Sequence, residues 1–237
     1  MRFEGKVALV TGGTGALGRH VTKAFLEEGA KVAVSYIIDE ELVELEQIVG
    51  DLKPSLKAYK ADVTSDQEVS SLVSTVMEDL ESIDILVNVV GGYVGGTPVA
   101  KTSLKDWDFM MNLNLKSIFL CCRGVAPHME KRGYGKVVNI SSRTGLEGEA
   151  GHAPYSVSKA GVIRLTETLA DELRVKGINV NCILPSIIDT PANRQAMPKA
   201  DFSKWPKPWE VARVILFLAS EDAKLLHGAA VPVYGLS

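Results

Sequence analysis

The sequence predicts an α/β fold, in which helices cover both faces of a parallel sheet. Apolar segments rich in β-branched residues alternate with segments of helical periodicity along nearly the whole chain of 237 residues. A glycine-rich turn joins the first apolar segment to the first amphipathic one. Strands that alternate with helices pair in parallel, and no flexible linker divides the chain. A single domain over residues 1–237 is therefore expected.

The elements follow one another in a regular order. Strands are expected at 6–11, 31–36, 56–60, 83–90, 136–141, 178–184 and 229–234. Helices are expected at 16–28, 39–49, 66–80, 103–131, 155–176 and 208–220. Residues 190–209 contain several prolines, which break regular secondary structure, and two tryptophans, which add apolar surface. Such a segment suits a substrate lid, although a loop packed against the domain fits equally well.

Composition disfavours several classes of function. The formal net charge of -3 arises from charges of mixed sign, so no nucleic-acid surface is expected. No apolar run reaches the roughly 18 residues of a membrane span, and glycines interrupt the apolar start too early for a secretion signal. We therefore expect a cytoplasmic protein that binds neither membranes nor nucleic acids.

Cysteine and histidine usage predicts no metal site. Cys121, Cys122 and Cys182 are too few and too poorly spaced for zinc, and we interpret them as buried thiols. The four histidines are scattered without ligand spacing. Among them His152, three residues before Tyr155, is the candidate for a substrate contact.

The N-terminal segment KVALVTGGTGALG predicts a site for a dinucleotide. Gly12, Gly15 and Gly18 allow a tight turn and a close approach of the backbone to a pyrophosphate, whose charge would lie at the positive end of the next helix. A second strand at 31–36 completes a strand-helix-strand unit of about 30 residues. An ordinary glycine-rich connection is the alternative.

Residues 141–159 carry the candidate catalytic groups. Tyr155 and Lys159 are four residues apart in a predicted helix, so both project from one face. A free phenol has a pKa of about 10, and a neighbouring ammonium lowers that pKa toward the range where proton transfer is effective. Two amphipathic residues on a surface helix would show the same spacing.

Several motifs in order resemble those of the short-chain dehydrogenase/reductase family, and the likeness covers essentially the whole chain. TGGTGALG at 11–18 is similar to the family's TGxxxGxG, and NVVG at 88–91 to its NNAG. Asn114 matches the family's helix asparagine, Ser142 has the family's spacing from Tyr155, and YSVSK supplies YxxxK. PSIIDT at 185–190 is similar to the family's PGxxxT. Ala16, Val89, Val90 and Ser186 depart from these patterns.

The resemblance implies a Rossmann-type doubly wound sheet of seven strands and a tetrad of Asn114, Ser142, Tyr155 and Lys159. Ser142 would hold the substrate oxygen near Tyr155, which would donate the proton as hydride arrives. Lys159 would lower the pKa of the tyrosine and hold the nicotinamide ribose. Asn114 would fix a water that returns the proton through Lys159. A helix asparagine bonded to backbone is the alternative for Asn114.

The resemblance also implies NAD or NADP as cofactor. The contacts it assigns are Gly12, Thr14, Gly15, Leu17, Gly18, Tyr36, Asp62, Val63, Asn88, Gly91, Tyr155, Lys159, Pro185, Ile188 and Thr190. An acid at the end of the second strand would favour NAD, and a nearby cation NADP. Tyr36 stands there, and no Lys or Arg occupies the glycine turn, so NAD(H) is favoured with NADP(H) as the alternative. Arg19 is expected to be solvated.

These motifs predict a carbonyl reductase or alcohol dehydrogenase with a small-molecule substrate. A 3-oxoacyl carrier protein reductase is one alternative. A dihydropteridine reductase-like enzyme is another, because residues 184–205 resemble the corresponding stretch of those enzymes. A non-catalytic dinucleotide sensor is the alternative of another class. The short remainder after Thr190 argues against a sugar-nucleotide epimerase.

Substrate contacts are expected from Arg143, Leu146, His152, Ile187 and the 190–209 segment. These positions mix apolar and polar character, so they do not select one substrate. The resemblance further implies a homodimer or homotetramer built through the helices at 103–131 and 155–176. Burial of those helices inside the monomer would explain their apolar faces equally well.

Overall fold

The computed structural model describes all 237 residues and contains one parallel sheet of seven strands. The strands are β1 (Val7–Thr11), β2 (Lys31–Tyr36), β3 (Leu56–Lys60), β4 (Ile85–Asn88), β5 (Gly135–Ile140), β6 (Ile178–Pro185) and β7 (Ala230–Val233). Their order in the sheet is β3-β2-β1-β4-β5-β6-β7. The chain thus winds outward from β1 in one direction and from β4 in the other. This order confirms the predicted Rossmann-type doubly wound fold.

Eight α-helices cover the two faces of the sheet. They are α1 (Gly18–Glu27), α2 (Asp39–Val49), α3 (Asp66–Leu80), α4 (Leu104–Met111), α5 (Ser117–Arg132), α6 (Ala153–Leu173), α7 (Pro191–Ala196) and α8 (Pro208–Leu218). Residues of α1, α2 and α8 share one apolar core with the sheet, and residues of α3, α5 and α6 share the other. None of these helices has the length and apolar character that crossing a membrane requires.

The helix expected at 103–131 is interrupted, which corrects the prediction of one continuous helix. A π-helical turn, Asn112–Lys116, separates α4 from α5. Such a turn inserts one extra residue into the helix and reorients the side chains around it. Here it directs the side chain of Asn114 to the backbone of Gly92 on the loop after β4. Hydropathy along the chain does not reveal this contact.

Other boundaries differ by a few residues. The first helix begins at Gly18 rather than at residue 16, because Ala16 and Leu17 belong to the glycine loop. Helix α6 begins at Ala153, ahead of the predicted start, with Pro154 in its first turn, where proline costs no hydrogen bond. The stretch 190–209 is less irregular than expected, since it contains α7 and a short 3-10 turn, Phe202–Lys204.

The candidate site lies where the strand order reverses. Strands β1 and β4 are neighbours, and Thr11 at the end of β1 pairs with Asn88 at the end of β4. The connections that follow them run to opposite faces of the sheet, which opens a crevice beyond the carboxyl ends of the strands. The Thr11 hydroxyl accepts a hydrogen bond of 3.1 Å from the Val89 amide and fixes the start of the loop after β4.

Candidate active site

The glycine loop between β1 and α1 is shaped by close backbone contacts. Gly12 has a φ of 61°, a conformation that favours glycine, and a Cβ there would lie 2.9 Å from Val90 Cγ2. A Cβ on Gly18 would collide with the carbonyl oxygen of Gly12. Gly15 differs, because a Cβ there would meet nothing nearer than the Gly12 oxygen at 3.6 Å. Gly12 and Gly18 thus shape the loop, whereas Gly15 leaves its outer side open.

Helix α1 presents its amino end to this loop. No side chain caps the helix, and no acidic residue lies in its first turn. The positive end of a helix dipole attracts an anion. The open side of Gly15 and the uncapped helix therefore fit the pyrophosphate of a dinucleotide. Leu17, in contrast, is buried in the core behind the loop.

The residues expected to contact the adenosine lie at and after the ends of β2 and β3. Tyr36 ends β2 and is half-buried. The carboxylate of Asp62 accepts hydrogen bonds of 2.8 Å from the amide and the hydroxyl of Thr64. Val63 is buried in the core. These residues lie at the expected edge of the sheet, with the Val63 side chain directed inward.

Two acids of α2 contact the glycine loop and the start of α1, and the sequence interpretation missed both. The Thr14 hydroxyl donates a hydrogen bond of 2.9 Å to Glu41. Arg19 pairs with Glu44 at 2.5 Å and donates its Nε to the carbonyls of Thr14 and Gly15. The expectation that Arg19 is solvated is therefore wrong. The cause is the packing of α2 beside the loop, which the sequence spacing does not reveal.

Contacts between the end of β5 and α6 position Ser142 beside Tyr155. The hydroxyl of Ser141 donates a 2.8 Å hydrogen bond to the Lys159 carbonyl. A Cβ on Gly145 would lie 2.9 Å from the Lys159 carbonyl carbon, so this glycine lets the turn after Ser142 rest on the helix backbone. The Ser142 hydroxyl lies 3.0 Å from Thr144 Oγ1 and adjoins the Tyr155 phenol.

The electrostatics of Tyr155 differ from the sequence expectation. Burial raises the pKa of Tyr155, and the Ser142 hydroxyl partly opposes this effect. Burial also lowers the pKa of Lys159 to about 8. The Lys159 ammonium lies 5.9 Å from the centre of the phenol ring and donates to the Ile140 carbonyl. Desolvation of the phenol is therefore the largest influence on the pKa of Tyr155.

Asn114 and Lys159 approach each other across Gly91. Asn114 is fully buried, accepts a 2.9 Å hydrogen bond from the Gly92 amide and donates 3.1 Å bonds to the Gly92 carbonyl and to Ser158. A Cβ on Gly91 would lie 3.0 Å from Asn114 Oδ1 and 3.3 Å from Lys159 Nζ. The structure therefore brings all four residues of the expected tetrad to one end of β4 and β5.

The remaining residues predicted to contact the cofactor lie at or after the carboxyl ends of β4 and β6. Asn88 is buried and donates a 2.8 Å bond to Asn139, so it fixes β4 to β5 below the crevice. Pro185 ends β6, and Ile188 follows it with a carbonyl that accepts from Asn193 at 2.8 Å. Thr190 caps α7 through a hydrogen bond of 3.2 Å from the Asn193 amide.

Comparison with known proteins identifies the family. The family model for the short chain dehydrogenases matches residues 6–201. The chain belongs to the short-chain dehydrogenase family. The 3-oxoacyl-[acyl-carrier-protein] reductase FabG of Thermotoga maritima is 36% identical and aligns over 99% of this chain and 98% of its own. Acetoacetyl-CoA reductase of Rhizobium meliloti is 35% identical over 97% of each chain.

Solved structures agree with this assignment. A crystal structure of NAD⁺-bound xylitol dehydrogenase is 28% identical, has a TM-score of 0.92 and covers 99% of this chain and 100% of its own. ElxO with NADP bound is also 28% identical, with a TM-score of 0.91 and 97% of each chain covered. This short-chain dehydrogenase is thus an NAD(P)-dependent oxidoreductase of the class that acts on carbonyl and CH–OH groups.

Next to Tyr155 this short-chain dehydrogenase has an aromatic residue that the sequence interpretation missed. The ring of Tyr93 meets the ring of Tyr155 edge-on, with 5.1 Å between centroids. His152 also adjoins Tyr93, with 5.5 Å between ring centroids and 3.4 Å from Nε2 to the Tyr93 hydroxyl. The signal was available in the sequence, because Tyr93 is the aromatic residue within the glycine-rich GGYVGG.

Ion pairs and backbone hydrogen bonds hold the segment expected as a lid against the rest of this short-chain dehydrogenase. The carboxylate of Asp189 is 5% exposed and pairs with Arg194 and Lys207, each at 2.5 Å. These two cations hold the pKa of Asp189 well below its usual range. The Asp189 amide donates a 3.0 Å bond to the Pro206 carbonyl, and the Leu236 amide donates one of 2.9 Å to the Lys204 carbonyl.

Proposed function

We propose that the protein reduces the ketone of a 3-oxoacyl thioester, with NADH as the hydride donor. The observation that carries this proposal is the placement of Ser142, Tyr155, Lys159 and Asn114 at the ends of β4 and β5. This is the side of the crevice opposite the adenosine end. The nicotinamide supplies the hydride when it is bound. The reaction adds this hydride to the carbonyl carbon and a proton to its oxygen, which gives a secondary alcohol.

Ser142 and Tyr155 act on the carbonyl oxygen. The Ser142 hydroxyl donates a hydrogen bond to that oxygen and holds it within reach of the phenol. Tyr155 gives its proton to the oxygen as the negative charge develops. Burial raises the pKa of Tyr155, so the free enzyme keeps the phenol protonated and ready to donate. The reverse reaction, alcohol oxidation, requires the phenolate and is favoured by higher pH.

Lys159 and Asn114 return the proton to Tyr155. The Lys159 ammonium would hold the ribose hydroxyls of the nicotinamide, and its charge stabilises the phenolate that forms during reduction. Lys159 gives a proton to the phenolate and becomes a neutral amine, and a water held at Asn114 then passes a proton from solvent to that amine. Support comes from the approach of Asn114 Oδ1 and Lys159 Nζ around Gly91. A pKa near 8 for Lys159 suits an amine that both gives and accepts a proton.

The thioester class is favoured by the relatives. Two proteins that match essentially the full chain are named for the reduction of 3-oxoacyl carrier protein and of acetoacetyl-CoA. Ser142 also suits an ordinary ketone, because a hydroxyl donor is matched to a carbonyl oxygen. A small or medium ketone without a thioester is therefore the alternative substrate for the same reaction.

A quinonoid dihydropteridine is a second candidate, favoured by a specific observation. The ring of Tyr93 packs against the rings of both Tyr155 and His152, and the three rings form an aromatic wall beside the reacting position. Such a wall favours a flat, conjugated substrate. The local resemblance of residues 184–205 to dihydropteridine reductases points the same way. Replacement of Tyr93 by Ala would raise the KM for a flat heterocycle and leave that for a 3-oxoacyl thioester little changed.

The same proposal covers the location, domain organisation and oligomeric state of the enzyme. We place it in the cytoplasm as a single domain in which residues 190–209 act as a substrate lid.

We also propose a homodimer or homotetramer that buries the groove of about 430 Å³ lined by Met111, Leu115, Phe119 and Leu165. Phe119 is 44% exposed in the monomer, which supports this. Light scattering of wild type and Phe119→Glu would test it, because the charge should shift the assembly toward smaller species.

A substrate panel tests the activity. Oxidation of NADH and NADPH is followed by absorbance with a 3-oxoacyl thioester, a simple ketone and a quinonoid dihydropteridine. We expect turnover of the thioester, a loss of about 100-fold or more in kcat for Tyr155→Phe, and little change in NADH affinity for that variant. Tight dinucleotide binding with no turnover of any substrate would instead favour a non-catalytic sensor.

A further inference from the structure

The first turn of α2 places a carboxylate against the glycine loop. The Thr14 hydroxyl donates a 2.9 Å hydrogen bond to Oε2 of Glu41, and Thr14 is 1% exposed. The loop is held on the end of β2, because the Gly12 amide donates a 3.2 Å bond to Ser35 Oγ. Glu41 therefore lies beside the glycine loop, in the first turn of the helix that follows β2. In a doubly wound sheet the adenosine ribose binds in this crevice.

The charge of Glu41 is not compensated by a cation. Its neighbours on α2 are paired, since Asp39 lies 2.6 Å from Lys60 and Glu44 lies 2.5 Å from Arg19. Glu41 contacts the neutral hydroxyl of Thr14 and forms no ion pair. Arg19 is the cation nearest the loop, and Glu44 already neutralises it. The crevice thus presents an unpaired negative charge.

We propose that Glu41 selects NAD(H) against NADP(H) in this protein. Its Oε2 accepts from Thr14, which leaves Oε1 to accept a hydrogen bond from a ribose hydroxyl. A 2′-phosphate would add a charge of about −1.5 to −2 beside this carboxylate and be repelled. Tyr36 at the end of β2 is neutral and supplies no such discrimination. The inference rests on the NADH preference stated under the proposed function and names its cause.

A merely structural role for Glu41 predicts a different result from a selective one. If Glu41 only ties α2 to the glycine loop, its charge is unimportant, and an amide that accepts from Thr14 would replace it. Glu41→Gln keeps an oxygen acceptor and removes the charge. Glu40→Gln is the matched control, because Glu40 is an exposed acid on the same helix turn without a side-chain hydrogen bond or ion pair.

The test measures fragments of the cofactor that carry no nicotinamide. Calorimetric titration gives the Kd of adenosine 5′-monophosphate and of adenosine 2′,5′-bisphosphate for wild type, Glu41→Gln and Glu40→Gln. Wild type should bind the monophosphate more tightly. The ratio of the two Kd values should shift about tenfold toward the bisphosphate in Glu41→Gln and stay unchanged in Glu40→Gln.

Two results would overturn the inference. These are a wild type that prefers the bisphosphate, and an unchanged ratio of the two Kd values in Glu41→Gln, whether or not both fragments bind more weakly to that variant. Because no hydride transfer is involved, the result does not depend on reductase activity. A protein with the expected ratios that reduces no ketone would refute the proposed function and leave the role of Glu41 intact.

Discussion

The ammonium of Lys159 donates a hydrogen bond of 2.9 Å to the carbonyl of Ile140, the last residue of β5. This bond spans the junction between the sheet and α6. The Lys159 side chain is consequently buried, and burial lowers its pKa to about 8. The amine therefore stays close to Tyr155, at a cost in stability whenever it is charged.

The first prediction concerns Lys159 and pH. In the unfolded chain this amine has a pKa of about 10.4, so between pH 8 and 10 the unfolded state binds more protons than the native state. The contribution of Lys159 to the free energy of unfolding should therefore rise with pH across this window. Urea titrations of wild type and Lys159→Met measure this contribution. The two free energies of unfolding should differ by about 2 kcal/mol at neutral pH, and this difference should shrink as the pH rises to 10.

The sign of that difference is diagnostic. Lys159→Met should be the more stable protein at neutral pH, although it loses the ribose contact and binds NADH more weakly. Arg164→Met, a change on the exposed face of α6, serves as the control. A Lys159→Met variant that is less stable than wild type at neutral pH would show that the hydrogen bond to Ile140 outweighs desolvation.

The second prediction separates two glycines of the same loop. Gly18→Ala should destabilise the cofactor-free protein by about 3 kcal/mol, because its Cβ would collide with the Gly12 carbonyl. Gly15→Ala should change stability by no more than about 0.5 kcal/mol, since its Cβ meets no atom nearer than 3.6 Å. Its methyl group would face the pyrophosphate and raise the Kd for NADH at least about tenfold.

Thermal denaturation and NADH fluorescence titration measure the two effects separately. Equal loss of stability in both variants would contradict the geometry of the loop. Unchanged NADH affinity in Gly15→Ala would show that the pyrophosphate does not approach this side.

The third prediction concerns Asn114. Its side chain satisfies both the amide and the carbonyl of Gly92. Asn114→Ala should cost about 2–4 kcal/mol, because both backbone groups lose their partner in a buried site. Asn114→Asp keeps the acceptor for the Gly92 amide and should recover part of that stability, as chemical denaturation would show. If the alanine variant were as stable as wild type, the π turn would not depend on this contact.

The fourth prediction concerns the anchor of the 190–209 segment. Asp189→Asn removes the charge that holds Arg194 and Lys207, and it should cost about 2 kcal/mol. Because the pKa of Asp189 is depressed in the folded protein, this contribution is complete above about pH 4 and is lost as the pH falls further. Limited trypsin digestion at neutral pH should cut this segment faster in the variant.

Asp108→Asn is the matched control, because Asp108 is exposed on α4 and forms no ion pair. Equal digestion rates for Asp189→Asn and wild type would mean that the backbone bonds at Asp189 and Lys204 hold the segment by themselves.

Local sequence determined the elements of this protein and one half of its site. Alternation of apolar and amphipathic segments is set by short-range periodicity, and it placed all seven strands within two residues of their observed ends. The glycine loop and the pair Tyr155 and Lys159 were predictable for the same reason, since a turn and a helix fix the geometry of neighbours in the chain. Resemblance to the family added Asn114 and Ser142.

Tertiary structure decided what depends on contacts between distant segments. The π turn at Asn112–Lys116 forms where Asn114 reaches Gly92, and Glu41 reaches Thr14 only because α2 packs beside the glycine loop. The pKa of Tyr155 is raised because burial disfavours the phenolate, and the helix spacing of Tyr155 and Lys159 does not reveal that burial. Burial, packing and long-range hydrogen bonds arise from the folded arrangement, and one-dimensional spacing carries no measure of them.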